Sequence, residues 1–376
     1  MNKSNCLVIG AGLLGRTLTL ALAHQGHRVS LFEATQSDIP NAAAPVAAAM
    51  LAPLAESAIT ELNVVRMGQY SLERWPSLLQ LLPQTVFFQR QGTLIVWHPA
   101  DAGEAQRLSS LLQRNQALLP SLPAPQSLTG SDIGVLEPSL ANRFERGLYL
   151  PQEGQLDNRE LLSAQEAGLY NFQSQGHVQV HWQSPQNPEA LYAQVCSGDM
   201  KPAHFWPDAP TWVIDCRGIG AKKEWTRVRG VRGEVVRVHA PEVSLSRPTR
   251  LIHPRYPIYI APKENGVFVI GATEIESEDL SPSSVRSTLE LLSAAYSVHP
   301  GFAEARVLEM NTQLRPTLPD NLPAIEVTQP HFMRINGLYR HGFMITPLVV
   351  DCALEWIQTQ HTSLAQQVGL HISVNS

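Results

Sequence analysis

Cys6-Leu7-Val8-Ile9-Gly10-Ala11-Gly12-Leu13-Leu14-Gly15 opens a segment that runs through a helix-patterned stretch to Arg28-Val29-Ser30-Leu31-Phe32-Glu33. Cys6–Ile9 is a short apolar run, the pattern of a strand buried on both faces. From Leu13 to His24 apolar residues recur at helical spacing (Leu14, Leu18, Ala21, Leu22), and Gly26 supplies a stop. Arg28–Glu33 reads as a second strand. Strand, glycine turn, helix and strand make one βαβ unit. The three glycines act differently. Gly10 permits the tight turn, Gly12 lets backbone approach a pyrophosphate, and Gly15 lets helix pack on strand. The helix start, with Leu13 and Leu14, offers free N–H groups and the positive end of a dipole to that anion. Glu33 follows Gly15 by eighteen residues, where an acid accepts hydrogen bonds from ribose hydroxyls and disfavours a 2′-phosphate. The unit predicts an α/β dinucleotide-binding domain. By itself it does not choose between a flavin and a nicotinamide dinucleotide.

The totals narrow the class. A chain of 376 residues has room for about two domains. Its 28 Lys and Arg against 33 Asp and Glu give a formal charge of −5, and the basic clusters at Lys222–Lys223 and Arg227–Arg232 are short. Nucleic-acid binding rests on a basic excess or stripe, so it is not expected. Cys6, Cys196, Cys216 and Cys352 lie far apart, with no C-x-x-C pair and no metal-ligand spacing. Buried free thiols are the expectation, in a reducing cytoplasm and without a metal. Cys6–Leu14 could pass for the apolar core of a signal peptide. Its glycines, the missing small-residue cleavage site and the run into an amphipathic helix argue against export. No stretch is apolar for long enough to span a bilayer. The oligomeric state stays open between monomer and homo-oligomer.

Further along, 41–56 is alanine-rich, and its composition alone favours close helix packing. A helix is predicted over 61–82, strands over Phe87–Trp97 turning at Gln91-Gly92, and a helix then a Pro-rich loop over 99–130. Trp212–Asp215 is another buried strand, ending at Cys216-Arg217-Gly218. Val231–His239, Ile258–Pro262 and Val267–Thr273 are β-rich, the last two divided by Lys263-Glu264-Asn265-Gly266. Residues 282–299 read as a helix, Phe332–Ile335 as a strand, and Leu348–Gln358 as a closing helix. The order suggests two domains interleaved along the chain.

These segments, in order and spacing, resemble the D-amino-acid-oxidase-like flavoproteins, most closely the glycine-oxidase branch of thiamine biosynthesis. The resemblance runs over nearly the whole chain. It rests on Gly10–Gly15 with Glu33, Ala47-Ala48-Ala49-Met50-Leu51-Ala52-Pro53, Val231-Arg232-Gly233-Glu234 and Tyr259-Ile260-Ala261-Pro262. It continues through Val269–Thr273 and Leu314-Arg315-Pro316 to Gly337-Leu338-Tyr339-Arg340-His341-Gly342-Phe343. It implies a Rossmann-like FAD-binding domain of the glutathione-reductase type (1–82, 151–225 and 315–376) interleaved with a β-sheet-rich, α+β substrate domain (83–150 and 226–314). FAD is then the implied cofactor. Its contacts would come from Gly10, Gly12, Leu13, Leu14, Gly15, Glu33 and Ala34, from the small-residue loop Ala47, Ala48, Ala49 and Met50, and from Pro185 near the adenine. Gly218, Arg340, His341, Gly342, Phe343, Met344 and Ile345 complete the set. No cysteine stands where the sarcosine-oxidase branch links its flavin, so non-covalent FAD is expected.

The resemblance also implies that Arg315 grips the substrate carboxylate, a role in which a planar fork serves better than an ammonium. Tyr259 would assist that grip, and Arg340 would lie beside both flavin and substrate. Without the resemblance, Arg315 before Pro316 reads as a surface-loop arginine and Tyr259 as a core-facing strand tyrosine. The implied activity is FAD-dependent oxidation of a small amino acid, glycine foremost: hydride passes from the substrate Cα to flavin N5, an imine is released, and O2 is reduced to H2O2. The residues leave other readings open: a flavoprotein modifying a tRNA or protein partner, a D-amino-acid or sarcosine dehydrogenase with another acceptor, or an NAD-dependent dehydrogenase. Glu274 departs from the pattern, since the position is apolar in the resembling glycine oxidases. It is expected either to meet the substrate ammonium or, slightly preferred, to face solvent with Glu276 and Glu278. Arg255 and Pro257 also depart, which puts the side-wall contacts in doubt.

Overall fold

Asn5–Ile9 is a strand buried along its whole length in the interior of a seven-stranded sheet. A computed structural model describes residues 3–37 and 42–374. The sheet order is His371–Val374, Ala324–Gln329, Phe332–Asn336, Thr211–Asp215, Asn5–Ile9, Arg28–Phe32 and Val178–His181. Asn5–Ile9 pairs in parallel with both neighbours, setting Ile9 beside Asp215 and Phe32. Burial on two faces explains the unbroken apolar run. The helix Leu13–His24 buries every residue except His24, more than one amphipathic face predicts. The reason is company: helices Asn158–Ser174 and Gly342–Thr359 also pack on it.

An eight-stranded sheet forms the second layer, ordered Arg306–Thr317, Arg229–His239, Val267–Gly271, Ile258–Pro262, Thr249–Ile252, Thr93–Trp97, Arg146–Leu150 and Gln126–Thr129. Its register places Val231 beside Arg315, Gly233 beside Gln313, Val235 beside Gly271, Gly271 beside Tyr259, and Tyr259 beside Arg250. Strand side chains alternate between faces, so this set shares one face. The other face holds Val236, Val238, Ile260 and Ile270, packed on Leu291, Ala295 and Val298 of the helix Val285–Val298. A small sheet of Met50–Leu51, Gly154–Leu156 and Phe88–Gln89 lies between the layers in sequence.

Several expectations change. Residues 42–49 form an irregular loop and not a helix; Asn158 Nδ2 fastens it through the Ala44 and Pro45 carbonyls, and Lys263 Nζ through that of Ala48. Phe87–Trp97 is not a hairpin, because Phe88–Gln89 pairs with Gly154–Leu156 and Thr93–Trp97 with Arg146–Leu150. Cys196 is exposed, whereas Cys6, Cys216 and Cys352 are buried. The helix Asn158–Ser174 and the long edge strand Arg306–Thr317 were not legible; the latter is half-exposed, so it lacks strict apolar alternation. Among the described residues no helix is long and apolar enough to cross a membrane.

The closing helix begins earlier than its pattern suggests, at Gly342, and contains Pro347. Proline has no N–H for the carbonyl four residues back, so Phe343 O is orphaned. Trp75 Nε1 donates to it at 2.9 Å, and the next N–H, of Leu348, donates to Ser71 Oγ at 3.1 Å. Both partners sit on the buried face of the helix Leu62–Leu79. Gly68 permits that approach, since a Cβ there would lie 2.9 Å from Met344 Cγ. We predict that Trp75→Phe costs about 1–3 kcal/mol through the unpaired carbonyl, beyond any packing loss, read as a lower urea midpoint.

Candidate active site

One cavity of about 1860 Å³ runs from the glycine turn to the shared face of the eight-stranded sheet. Sites for small ligands occupy roughly 300–1,000 Å³, so this space admits a dinucleotide and a second molecule.

At the first end Gly10, Ala11, Gly12, Leu13 and Leu14 line the wall with Glu33 and Ala34. Gly10 has φ +100°, and a Cβ on Gly15 would fall 1.8 Å from Gly10 O. Gly15 is therefore fixed by packing and lies behind the wall. Gly12 is different: among the described residues a Cβ there would approach only Ala42, at 3.9 Å. The protein leaves that space open toward the cavity. The helix start has neither a side-chain cap nor an acidic residue in its first turn, so its N–H groups and dipole remain available to an anion. Glu33 Oε2 accepts from the Ala11 N–H at 2.7 Å, and Oε1 accepts from the Thr35 N–H at 3.2 Å. Thr35, Gln36 and Ser37, which the sequence did not single out, extend this wall. Pro185 and Gly218 line it too. These features fit a dinucleotide.

The alanine loop forms the middle of the cavity. Ala47, Ala48, Ala49 and Met50 line it, and Ala48 packs with Val235, Ala261 and Val269. Behind the loop Lys263 is buried and donates to Ala48 O (2.9 Å), Leu156 O (2.7 Å) and Gln155 Oε1 (3.1 Å). Burial lowers its pKa to about 7. Arg340, His341, Gly342, Phe343 and Met344 face the loop's side of the cavity, whereas Ile345 is fully buried in the core.

At the far end the sheet presents Arg315 and Tyr259. Arg315 lies flat over Gly233, where a Cβ would come within 2.4 Å of the guanidinium, and Tyr259 over Gly271, where it would meet the hydroxyl at 2.6 Å. A glycine inside a strand signals such close approach, and this was the signal by which both could have been found. Among the described residues Arg315 donates only to carbonyls, Thr273 O at 3.0 Å and Arg232 O at 3.4 Å. No carboxylate among the described residues pairs with it. Burial lowers its pKa while Tyr259 opposes that shift.

The guanidiniums of Arg250 and Arg340 are engaged. Arg250 Nη2 donates to Glu56 Oε1 at 2.6 Å, and Arg340 Nε lies 3.2 Å from Glu56 Oε2. Glu56 was missed, although it is the one acid within 52–58. Burial pushes its carboxyl up, but Arg340 and Arg250 together hold it well below the usual carboxylate range. His341 is buried beside Glu56, and burial pulls its pKa to about 4, so the ring is neutral at pH 7. Glu274 is exposed, as preferred from the sequence, yet it also reaches the cavity: its oxygens accept from the Tyr339 hydroxyl at 2.6 Å and from Arg340 Nη1 at 2.5 Å. Glu276 and Glu278 instead pair with Arg229 and Lys222.

A dinucleotide turn opening onto a sheet face that carries an unpaired guanidinium defines a dinucleotide-dependent enzyme of the two-layer kind. Residues 5–356 match the family described as FAD dependent oxidoreductase (DAO), and the chain belongs to it. It is 38% identical over 341 residues to a putative thiamine biosynthesis oxidoreductase ThiO of Rhizobium etli, covering 91% of this chain and 92% of that one. To a glycine oxidase of Geobacillus kaustophilus it is 25% identical over 385 residues, covering 96% and 95%. Among solved structures, iminodiacetate oxidase from Chelativorans sp. BNC1 superposes with a TM-score of 0.78 at 17% identity, covering 98% and 99%. The protein is thus an FAD-dependent oxidoreductase.

Cys216 is the one cysteine on the cavity wall among the described residues, and burial raises its thiol well above the ordinary value. A protonated thiol is a poor nucleophile. Acid precipitation should therefore release FAD into the supernatant; flavin pelleting with the polypeptide would show a covalent bond.

Proposed function

We propose that the chain is an amino-acid oxidase whose preferred substrate is glycine, acting in thiamine biosynthesis. The observation that carries this reading is the unpaired Arg315 guanidinium beside Tyr259 on the cavity wall. The names of the two sequence relatives support the substrate. We also assign the seven-stranded layer to FAD, the eight-stranded layer to substrate, and the enzyme to the cytoplasm, where free thiols persist; the boundary expected at 315 falls inside the strand Arg306–Thr317, which puts Arg315 in the substrate layer.

FAD would be held by Gly10, Gly12, Leu13, Leu14, Glu33 and Ala34, by Ala47–Met50, and by Pro185, Gly218 and Arg340–Met344. When bound it supplies the acceptor for a hydride and passes the electrons to O2. The protein's own part is placement. Arg315 takes the substrate carboxylate through two N–H groups, and the Tyr259 hydroxyl donates to the same group. That grip orients the Cα–H and the amine toward the alanine loop. No side-chain base is required once the amine is neutral. The nearby acids are not free to act as one, since Glu56 and Glu274 are engaged by guanidiniums and by Tyr339.

The test is the purified yellow protein with glycine, sarcosine and D-alanine, assayed for peroxide and, in parallel, with a dye acceptor. Peroxide from glycine is expected. Turnover only with the dye would make it a dehydrogenase, and no turnover of any of the three would end the amino-acid reading.

A further inference from the structure

Apart from the exposed Arg255, the charged groups clustered at the sheet end of the cavity are three guanidiniums, Arg250, Arg315 and Arg340, and two carboxylates, Glu56 and Glu274, with His341 neutral. The balance leaves one positive charge, and the pairing places it on Arg315. Arg340 lies between two acids, with Nη1 on Glu274 at 2.5 Å and Nε facing Glu56 at 3.2 Å. Glu56 is buried and shared with Arg250, whereas Glu274 is 44% exposed. Glu274 is thus the member of the cluster nearer solvent. Its second oxygen is held by the Tyr339 hydroxyl at 2.6 Å, so the carboxylate is fixed across the gap between the end of Val267–Gly271 and the turn before Gly342.

We propose that Glu274 is a specificity-determining residue that restricts the site to substrates with a single carboxylate. It occupies the Arg340 fork that a second carboxylate would need, and its own charge repels that carboxylate. The inference rests on the reading that Arg315 binds the first carboxylate. Like charges a few ångströms apart in a partly buried site interact strongly enough to change affinity about tenfold or more. Glu274 also adds to the charges acting on Arg315, so both ends of a substrate would sense it. Replacing it by Gln keeps size and shape, removes the charge, and releases one side of Arg340. The nearest acid then left to Arg340 is Glu56, which Arg250 shares.

The experiment titrates the flavin absorbance of the purified holoenzyme with two unreactive anions, acetate and malonate. Wild type should prefer acetate. In Glu274→Gln the malonate Kd should fall about tenfold relative to that of acetate, and kcat/KM for iminodiacetate relative to glycine should rise by a similar factor. Tyr339→Phe removes the hydroxyl contact but keeps the charge, so it should leave the acetate-to-malonate ratio near wild type. An unchanged ratio in Glu274→Gln, with acetate still bound through Arg315, would overturn the proposal and leave the oxidase reading intact. A ratio shifted equally by Tyr339→Phe would overturn it too, because geometry and not charge would then be responsible. Acetate binding that survives Arg315→Ala unchanged would remove the reading beneath it, and the proposal with it.

Discussion

Arg315→Ala is expected to lose a hundredfold or more in kcat/KM for glycine while the protein keeps its flavin. The substrate carboxylate would enter a half-buried site where this guanidinium donates to two carbonyls and has no carboxylate partner among the described residues. Removing one partner of such a pair leaves a poorly solvated charge, which costs about 3–5 kcal/mol. Arg340 and Arg250 cannot substitute, since each is already paired with an acid. Lysine should restore only part of the loss, because an ammonium does not reproduce the planar fork. Flavin content separates recognition from folding: Arg315 touches the sheet's carbonyls, not the glycine turn. Near-normal glycine turnover in a flavin-replete Arg315→Ala would mean that the carboxylate is bound elsewhere.

Gly12→Val should give a folded protein without flavin, and Gly15→Val should give little folded protein. At Gly12 a Cβ meets only Ala42 among the described residues, at 3.9 Å, so the polypeptide tolerates the new side chain while the space open to a pyrophosphate is filled. At Gly15 a Cβ would overlap the Gly10 carbonyl at 1.8 Å, and backbone must move. Glu33→Arg should also purify with reduced flavin, through loss of an acceptor at the cavity wall. The readouts are the flavin-to-protein absorbance ratio and the thermal midpoint. Full flavin content in a well-folded Gly12→Val would refute the placement of the pyrophosphate.

The glycine turn was legible because strand, helix and terminal acid all lie within about thirty contiguous residues, and local patterns report local structure. The strands Ile258–Pro262 and Val267–Gly271 were legible for the same reason, with Asn265-Gly266 at the turn between them. Arg306–Thr317 was not, because an exposed edge strand needs no apolar alternation; Arg315 on it was found only through the family resemblance. Glu56, Arg250 and Lys263 escaped for a different reason. Glu56 meets Arg250 across 194 residues and Lys263 meets Ala48 across 215, and sequence distance hides such pairs. Glu274 shows the same effect in reverse: beside Glu276 and Glu278 it looks like one of a solvated trio, yet it alone reaches Arg340.

The eight-stranded sheet sorts its residues by parity. Val231, Gly233, Val235, Gly271, Tyr259, Arg250 and Arg315 share one face, and Val236, Val238, Ile260 and Ile270 pack the other. Point substitutions on the first face can therefore rework what the cavity accepts while the core under the second stays as it is. Insertions and deletions have no such freedom. One residue gained or lost near the start of Arg229–His239 would swap the faces of the residues that follow it in that strand, turning Val236 and Val238 into the cavity and the wall glycine Gly233 into the core. Descendants of this scaffold should accordingly differ at their cavity-facing positions while holding strand lengths fixed, with length variation confined to the loops.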